Sequence, residues 1–356
     1  MKREIWKGSE AIAESAIRAG CDCFFGYPIT PQNEIPEYMS LHMPQNGRVF
    51  VQAESELAAI NMVYGAAGSG MRAMTSSSSP GVALKQEGIS YMAAAELPAV
   101  IVNVVRGGPG LGSIQPSQCD YFQATRGGGN GDYRTITLAP STVQEAVDMM
   151  QLAFDLADQY RNPVVVLADG MIGQMMEPIV WKDYKKREIP PKEEWAACGR
   201  HGRSHNNFVT SLFIDAHDCE EKNFKYQAKY DEMAKNEVDW EEIMLDDAEL
   251  VFTAFGTPAR ILATVVEDLR AQGIKAGIFR PKTVWPYPYA RLKEIAARDT
   301  TKMIIDVEMN LGQMLEDVKL AVGDLKPIKF YGRTGGVIPS VSELKKISLE
   351  YFQEVK

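Results

Sequence analysis

The stretch Pro98-Ala99-Val100-Ile101-Val102-Asn103-Val104-Val105 limits the fold of this chain more than any other. Apolar side chains occupy both parities of the run. A strand made from it must therefore be covered on both faces, as happens in parallel sheets flanked by helices. A glycine-rich loop, residues 106–112, ends the run. Shorter apolar runs at 23–27, 50–52, 73–75 and 163–168 read as further buried strands. Helix signals separate them. Ser9 is the expected N-cap of a helix on which Ile12, Ala13, Ala16 and Ile17 share a face and which Gly20 closes. Thr30 is expected to cap the next helix with Pro31 at its first position. Residues 55–68 form a small-residue helix, Ser79-Pro80 opens another, and Ser141 with Gln144 reads as a capping box for a helix reaching Tyr160. The predicted class is α/β, a parallel sheet with helices on both faces.

A second alternation follows. Strands are predicted at 249–255, 275–279, 303–307 and 328–331, with helices from Thr257-Pro258, near 289–297 and near 314–322. Between the two lie charged residues with Pro190-Pro191 and little apolar periodicity. The division expected is 1–181, a linker and surface excursion over 182–247, and a smaller α/β domain over 248–356. A chain of 356 residues exceeds what one core commonly serves.

Composition excludes several classes. The formal net charge of −9 argues against nucleic acid or an anionic membrane as partner. No apolar run approaches the roughly 20 residues needed to span a bilayer, and the first residues lack the apolar core of a signal peptide. Five cysteines are scattered without a C-x-x-C pair, which argues against a zinc or iron–sulfur site and for a reducing cytoplasm. His201 and His205 have helical spacing, but Gly202 interrupts them, so no metal site is expected.

Four segments fall just past strand carboxyl ends, where open α/β sheets bind ligands. They are Gly26-Tyr27-Pro28-Ile29-Thr30-Pro31, Glu54-Ser55-Glu56, residues 75–81, and Arg106-Gly107-Gly108-Pro109-Gly110-Leu111-Gly112. Helix capping alone would account for Glu56, yet the helix behind it reads as buried, and a carboxylate entering a core needs a partner. Arg106 directly follows the apolar strand, so its planar fork should emerge at the sheet edge, suited to a carboxylate. The serine-rich segment 75–79 precedes a helix N-terminus, which attracts anions. As a dinucleotide fingerprint the glycine loop fails, because Ser113 and Gln115 stand where the third glycine belongs.

These motifs, with Ser9-Glu10-Ala11-Ile12-Ala13, resemble the alpha-type subunit of 2-oxoacid:ferredoxin oxidoreductases, most of all the branched-chain (2-oxoisovalerate) members, with the 2-oxoglutarate type similar. Arg280-Pro281 and Trp285-Pro286 extend the likeness into the second domain. The resemblance implies a thiamine-diphosphate pyrimidine-binding domain followed by a transketolase-C-terminal-like domain. It matches the activating glutamate to Glu56, from the offset of Tyr64-Gly65, with Glu54 as the other register. It matches Thr30 and Arg106 to the residues that hold the substrate carboxylate, and Tyr27, Pro28 and Ile29 to the cofactor-binding turn. Where related subunits carry Gly-His-Gly-Asp, this chain has Gly129-Asn130-Gly131-Asp132.

The family's diphosphate motif, Gly-Asp-Gly followed by Asn, is absent; Gly131-Asp132-Tyr133 and Gly323-Asp324-Leu325 do not fit it. Magnesium and 4Fe-4S clusters are accordingly expected on partner subunits: a diphosphate-binding beta-type, a gamma-type and a ferredoxin-like chain. The resemblance implies oxidative decarboxylation of a 2-oxoacid to acyl-CoA, with coenzyme A and ferredoxin as acceptors. Rival readings are a 2-oxoglutarate- or pyruvate-specific member, a split thiamine-dependent decarboxylase or transketolase half, and a non-catalytic assembly subunit.

Overall fold

A computed structural model describes residues 2–354. In chain order the first part comprises β1 (Glu4–Lys7), α1 (Gly8–Arg18), β2 (Cys23–Gly26), α2 (Glu34–Gln45), β3 (Val49–Gln52), α3 (Glu56–Gly68), β4 (Ala73–Ser77), α4 (Ser79–Ala94) and β5 (Ala99–Val105). Then come α5 (Tyr121–Arg126), β6 (Ile136–Leu138), α6 (Val143–Tyr160), β7 (Pro163–Asp169), α7 (Gly170–Gln174) and β8 (Met176–Ile179). The remainder is α8 (Ala216–Asn236), β9 (Trp240–Ile243), β10 (Leu250–Thr253), α9 (Gly256–Ala271), β11 (Ala276–Pro281), β12 (Thr283–Trp285), α10 (Tyr289–Ala297), β13 (Met303–Glu308), α11 (Met314–Val322), β14 (Ile328–Gly332) and α12 (Val341–Gln353).

Among the described residues two large open sheets, with a two-stranded β1–β8 ladder beside them, organise these elements. One has seven strands in the order β12-β6-β7-β5-β4-β2-β3, and the other has five in the order β14-β13-β10-β11-β9. Every residue of β5 and of β7 is buried, as their unbroken apolar runs require. Each fully buried valine or isoleucine there contributes about 1.5–3 kcal/mol. The class is α/β, as the alternation implies.

Local start signals fare less well than the strands. Helix α1 begins at Gly8, and Ser9 lies inside it, buried. The reason is tertiary: Gly8 N–H donates to Met175 O (3.0 Å), and a Cβ at Gly8 would meet Ile172 O at 1.8 Å. Helix α2 begins at Glu34, four residues past Thr30. Residues 30–33 are held in a turn instead, because buried Gln32 accepts from Ser76 Oγ (2.5 Å). The cap of α6 is shifted by one residue: Thr142 accepts from Glu145 N–H (3.1 Å), and Glu145 receives Ser141 N–H (2.9 Å).

Residues 182–247 are more than a connection. They hold α8, whose buried stripe is only Tyr226, Tyr230 and Met233, too narrow to register as amphipathic periodicity. They also hold β9, which pairs antiparallel with β11. Conversely β12, well inside the second alternation, pairs antiparallel with β6 of the first sheet. Both are short edge strands, which carry little apolar pattern for a sequence to display.

Candidate active site

The four segments singled out in the sequence follow β2, β3, β4 and β5, which are neighbours in the first sheet. The pairs β2–β3, β2–β4 and β4–β5 are all parallel, so the segments converge at one carboxyl edge.

Glu56 opens α3, with Ser55 as the N-cap accepting from Ala58 N–H (3.2 Å). It is 7% exposed, whereas Glu54, the register that the Tyr64-Gly65 offset does not favour, is exposed. Among the described residues no protein group hydrogen-bonds the Glu56 carboxylate; an ammonium, Lys85 Nζ, reaches only its main-chain oxygen (3.4 Å). Opposite it stands Gly81 in the first turn of α4. A Cβ there would lie 2.5 Å from Glu56 Oε1 and 2.1 Å from Ser77 Oγ, so only glycine leaves the carboxylate its space. The hydroxyls of Thr75, Ser77 and Ser78 are buried and have no partner. Buried polar atoms are ordinarily satisfied by protein, water or a bound group, and three of these stand side by side at the carboxyl end of β4.

Arg106 reaches the same edge. Its guanidinium donates to Thr30 O (2.9 Å) and Leu111 O (3.1 Å), and Nε is buried without a partner. The structure thus brings Arg106 and Thr30 together through the Thr30 main chain; the Thr30 side chain is exposed. Ser79 Oγ ties Arg106 to α4, accepting from Arg106 N–H (3.1 Å). The first turn of α4 therefore touches both Arg106 and Glu56. Gly112, at φ +52°, closes the loop where any Cβ would sit 1.8 Å from Gly107 O. Tyr27 and Pro28 are exposed at the rim and Ile29 is half-buried. Beside Thr30 a cleft of about 370 Å³ is lined by Pro31, Gln115, Pro116, Met171 and Gln174.

Gly129-Asn130-Gly131-Asp132 lies elsewhere. It is pinned to the side of α4, with Ser90 Oγ donating to Asn130 Oδ1 (3.0 Å) and Gly129 packed on Gln86. A surface cavity of about 720 Å³ lies between α6 and residues 182–187 and 236–239. Its charged groups are paired with each other, as in Lys182–Asp148, Arg187–Glu237 and Lys282–Asp239.

Gly81 and Lys85 escape sequence reasoning. Gly81 looks like a plain helix-start residue. The signal for Lys85 is its spacing, since Val82, Lys85, Ile89 and Met92 recur as one core face. Among the described residues no group of three or more His, Cys, Asp or Glu side chains is placed to hold a metal ion. The five cysteines are all unpaired, and burial pushes the Cys23 thiol up to about 11. No helix of the described residues is long and apolar enough to cross a membrane.

Comparison with known proteins fixes the class. Residues 14–243 match the thiamine-diphosphate-binding domain of the pyruvate flavodoxin/ferredoxin oxidoreductase family, and residues 248–344 match core domain II of pyruvate:ferredoxin oxidoreductase. The chain belongs to this family: it is an alpha-type subunit of an oxidoreductase that works as a multi-subunit complex, and it carries the thiamine-diphosphate-binding domain. It is 50% identical to the ketoisovalerate oxidoreductase subunit VorB of Methanothermobacter marburgensis, over 98% of this chain and 97% of that one. It is 37% identical to the 2-oxoglutarate synthase subunit KorA of Methanothermobacter thermautotrophicus, over 97% of each chain. Among solved structures, the 2-oxoglutarate:ferredoxin oxidoreductase of Magnetococcus marinus superposes with a TM-score of 0.87 at 26% identity over 99% of this chain. This chain spans 65% of that longer one. A split-gene transketolase shares the fold at a TM-score of 0.61 and 12% identity.

Proposed function

We propose that this chain supplies the pyrimidine-binding half of the active site of a thiamine-diphosphate-dependent oxidoreductase that decarboxylates a branched-chain 2-oxoacid, 2-oxoisovalerate, to its acyl-CoA. Coenzyme A and ferredoxin serve as acceptors. The observation that carries the reading is the Glu56 carboxylate, walled in by α3 and α4, without a protein partner and facing a cradle that a single Cβ at Gly81 would fill. The greater likeness to ketoisovalerate oxidoreductase subunits than to 2-oxoglutarate synthase subunits selects the substrate.

Thiamine diphosphate, when bound, supplies the electron sink for decarboxylation. Glu56 holds the proton shared with the ring nitrogen of the aminopyrimidine, and the low-dielectric walls of the site strengthen that contact. Tyr27, Pro28 and Ile29 would border the ring when the cofactor is bound. The guanidinium of Arg106, already oriented by Thr30 O and Leu111 O, and the hydroxyl of Thr30 set the substrate carboxylate in a near-attack pose. The diphosphate-binding motif is missing from the sequence and the cysteines are scattered. Magnesium and 4Fe-4S clusters accordingly reside on beta-type, gamma-type and ferredoxin-like partners, and the working site is an interface in a cytoplasmic complex. The pyrimidine-binding unit is assigned to residues 1–181, the connecting segment to 182–247 and the transketolase-C-terminal-like unit to 248–356.

The test is the assembled complex, assayed with a panel of 2-oxoacids, coenzyme A and a viologen acceptor. 2-Oxoisovalerate is expected to give the highest kcat/KM, and Glu56→Gln to lower turnover by about a thousandfold without loss of assembly. Near-normal turnover of Glu56→Gln would remove Glu56 from the chemistry. Tight binding of thiamine diphosphate and magnesium by the isolated chain, read by calorimetry, would refute the shared site.

A further inference from the structure

Lys85 has no exposed surface, and no part of the reading above uses it. Lysine is almost never fully buried unless its charge is paired, because desolvating an ammonium costs several kcal/mol. Here three N–H donors meet one acceptor, the main-chain oxygen of Glu56 at 3.4 Å. Helices α3 and α4 cross closely over this point, since a Cβ at Gly88 would lie 2.7 Å from Ile60 Cγ1. The charged neighbours are few. Glu56 is the single charged residue of α3, and β5 carries none. Asp169 of β7 is engaged by Thr257, Met171 and Ile172. On α4 itself Glu87 faces outward to Tyr91, Arg106 is tied to Thr30 O and Leu111 O, and Asp132 is exposed.

We propose that Lys85 is a positioning residue for Glu56: its ammonium, set beneath the first turn of α3, anchors the glutamate main chain and sets a positive charge close to this residue. This rests on the role given to Glu56 above. Burial pulls the Lys85 ammonium down to about 8 while the Glu56 charge opposes the fall. The cation therefore persists at neutral pH and is lost on the alkaline side, within the range where the complex can be assayed.

The experiment uses the assembled complex with Lys85→Met, which keeps length and removes charge, and Lys85→Arg, which cannot deprotonate. Two pH profiles are read: kcat/KM, and the near-ultraviolet circular dichroism of the bound aminopyrimidine without substrate. With Lys85→Met both acid-side midpoints are expected to rise by about one pH unit, as for loss of a nearby opposite charge. With Lys85→Arg they stay in place and the alkaline decline near pH 8 disappears. Midpoints that do not move in Lys85→Met, even if turnover falls, would overturn the proposal. If that variant does not assemble, an alkaline decline retained in Lys85→Arg overturns it and its loss supports it. Glu56→Gln separates the two readings. If it abolishes the dichroism titration while Lys85→Met leaves the midpoints alone, only the Lys85 role fails. If it titrates like the parent, the Glu56 reading itself falls.

Discussion

The two sheets present the same kind of edge and use it in opposite ways. In both, parallel strands end in loops that lead into helices, the place where α/β proteins bind ligands. At the first sheet the edge is left open. Hydroxyls of Thr75, Ser77 and Ser78 and the Arg106 Nε are buried without partners, and the Glu56 carboxylate has no protein donor among the described residues. At the second sheet the same edge is plugged by the first domain. Gln118 donates from its amide nitrogen to Phe255 O beyond β10 (2.8 Å) and accepts from Met309 N–H beyond β13 (2.9 Å). Asp169 accepts from Thr257 N–H and Oγ1 (2.9 and 2.8 Å), and Gly107 lies against Gly335 beyond β14. Further along the seam Asp317 gathers Tyr121, Tyr289 and Arg126. At the end of β13 one carboxylate serves structure and the other keeps a buried oxygen, Asp306 Oδ2, without a partner among the described residues. Glu308 caps the N-terminus of α11 through the Met314 and Leu315 amides, while burial, with the Glu308 charge, pushes the Asp306 carboxyl well above the usual range. The lesson is that position in a fold offers a site, and unpartnered polar atoms gathered at one edge mark the candidate. The second sheet's edge is mostly taken up by the seam, while the first leaves a group of polar atoms without protein partners among the described residues.

Substitutions at the two edges should therefore differ in kind. The largest effect is expected for Glu56→Gln, about a thousandfold in turnover with the melting temperature almost unchanged. Gly81→Ala should come next, lowering turnover by about a hundredfold, because the new Cβ must displace Glu56 Oε1 and Ser77 Oγ; kinetics of the assembled complex would show it, and an unchanged rate would mean the cradle is looser than drawn. Gln118→Ala should do the reverse. It strands Phe255 O and Met309 N–H in the seam, a loss of roughly 2–5 kcal/mol of stability, measurable by denaturant melts, with kcat retained in the surviving complex. Arg106→Lys should raise KM for the 2-oxoacid about tenfold with little change in stability, since the planar fork is lost. The smallest effect concerns stability and pH. The Lys85 ammonium is depressed from 10.5 to about 8 in the folded chain, so the unfolded chain binds its proton more strongly. The native lysine then contributes most above pH 10.5, and that contribution is lost as pH falls through 8. Lys85→Met should accordingly melt higher than the parent near pH 7, by a few kcal/mol at most, with the gain shrinking toward pH 10. A gain independent of pH would contradict the buried charge.

The sequence alone determined β2–β5 and β7 of the first sheet, β10, β11, β13 and β14 of the second, most of the helices between them and the four loops that meet at one edge. Each of these depends on local pattern: unbroken apolar runs such as those of β5 and β7, and glycine or proline at the turns. The family motifs suggest the roles proposed for Glu56, Thr30 and Arg106 in the same way, because they are contiguous. Tertiary structure decided what depends on residues far apart. It started α1 at Gly8 against Ile172, started α2 at Glu34 around the Gln32–Ser76 contact, and drew β9 and β12 to the opposite sheets. It buried Glu56 and exposed Glu54, two residues apart in the chain. It also placed Gly81 and Lys85 around that carboxylate. Burial and unpaired polar atoms are properties of the packed chain, which no local pattern encodes.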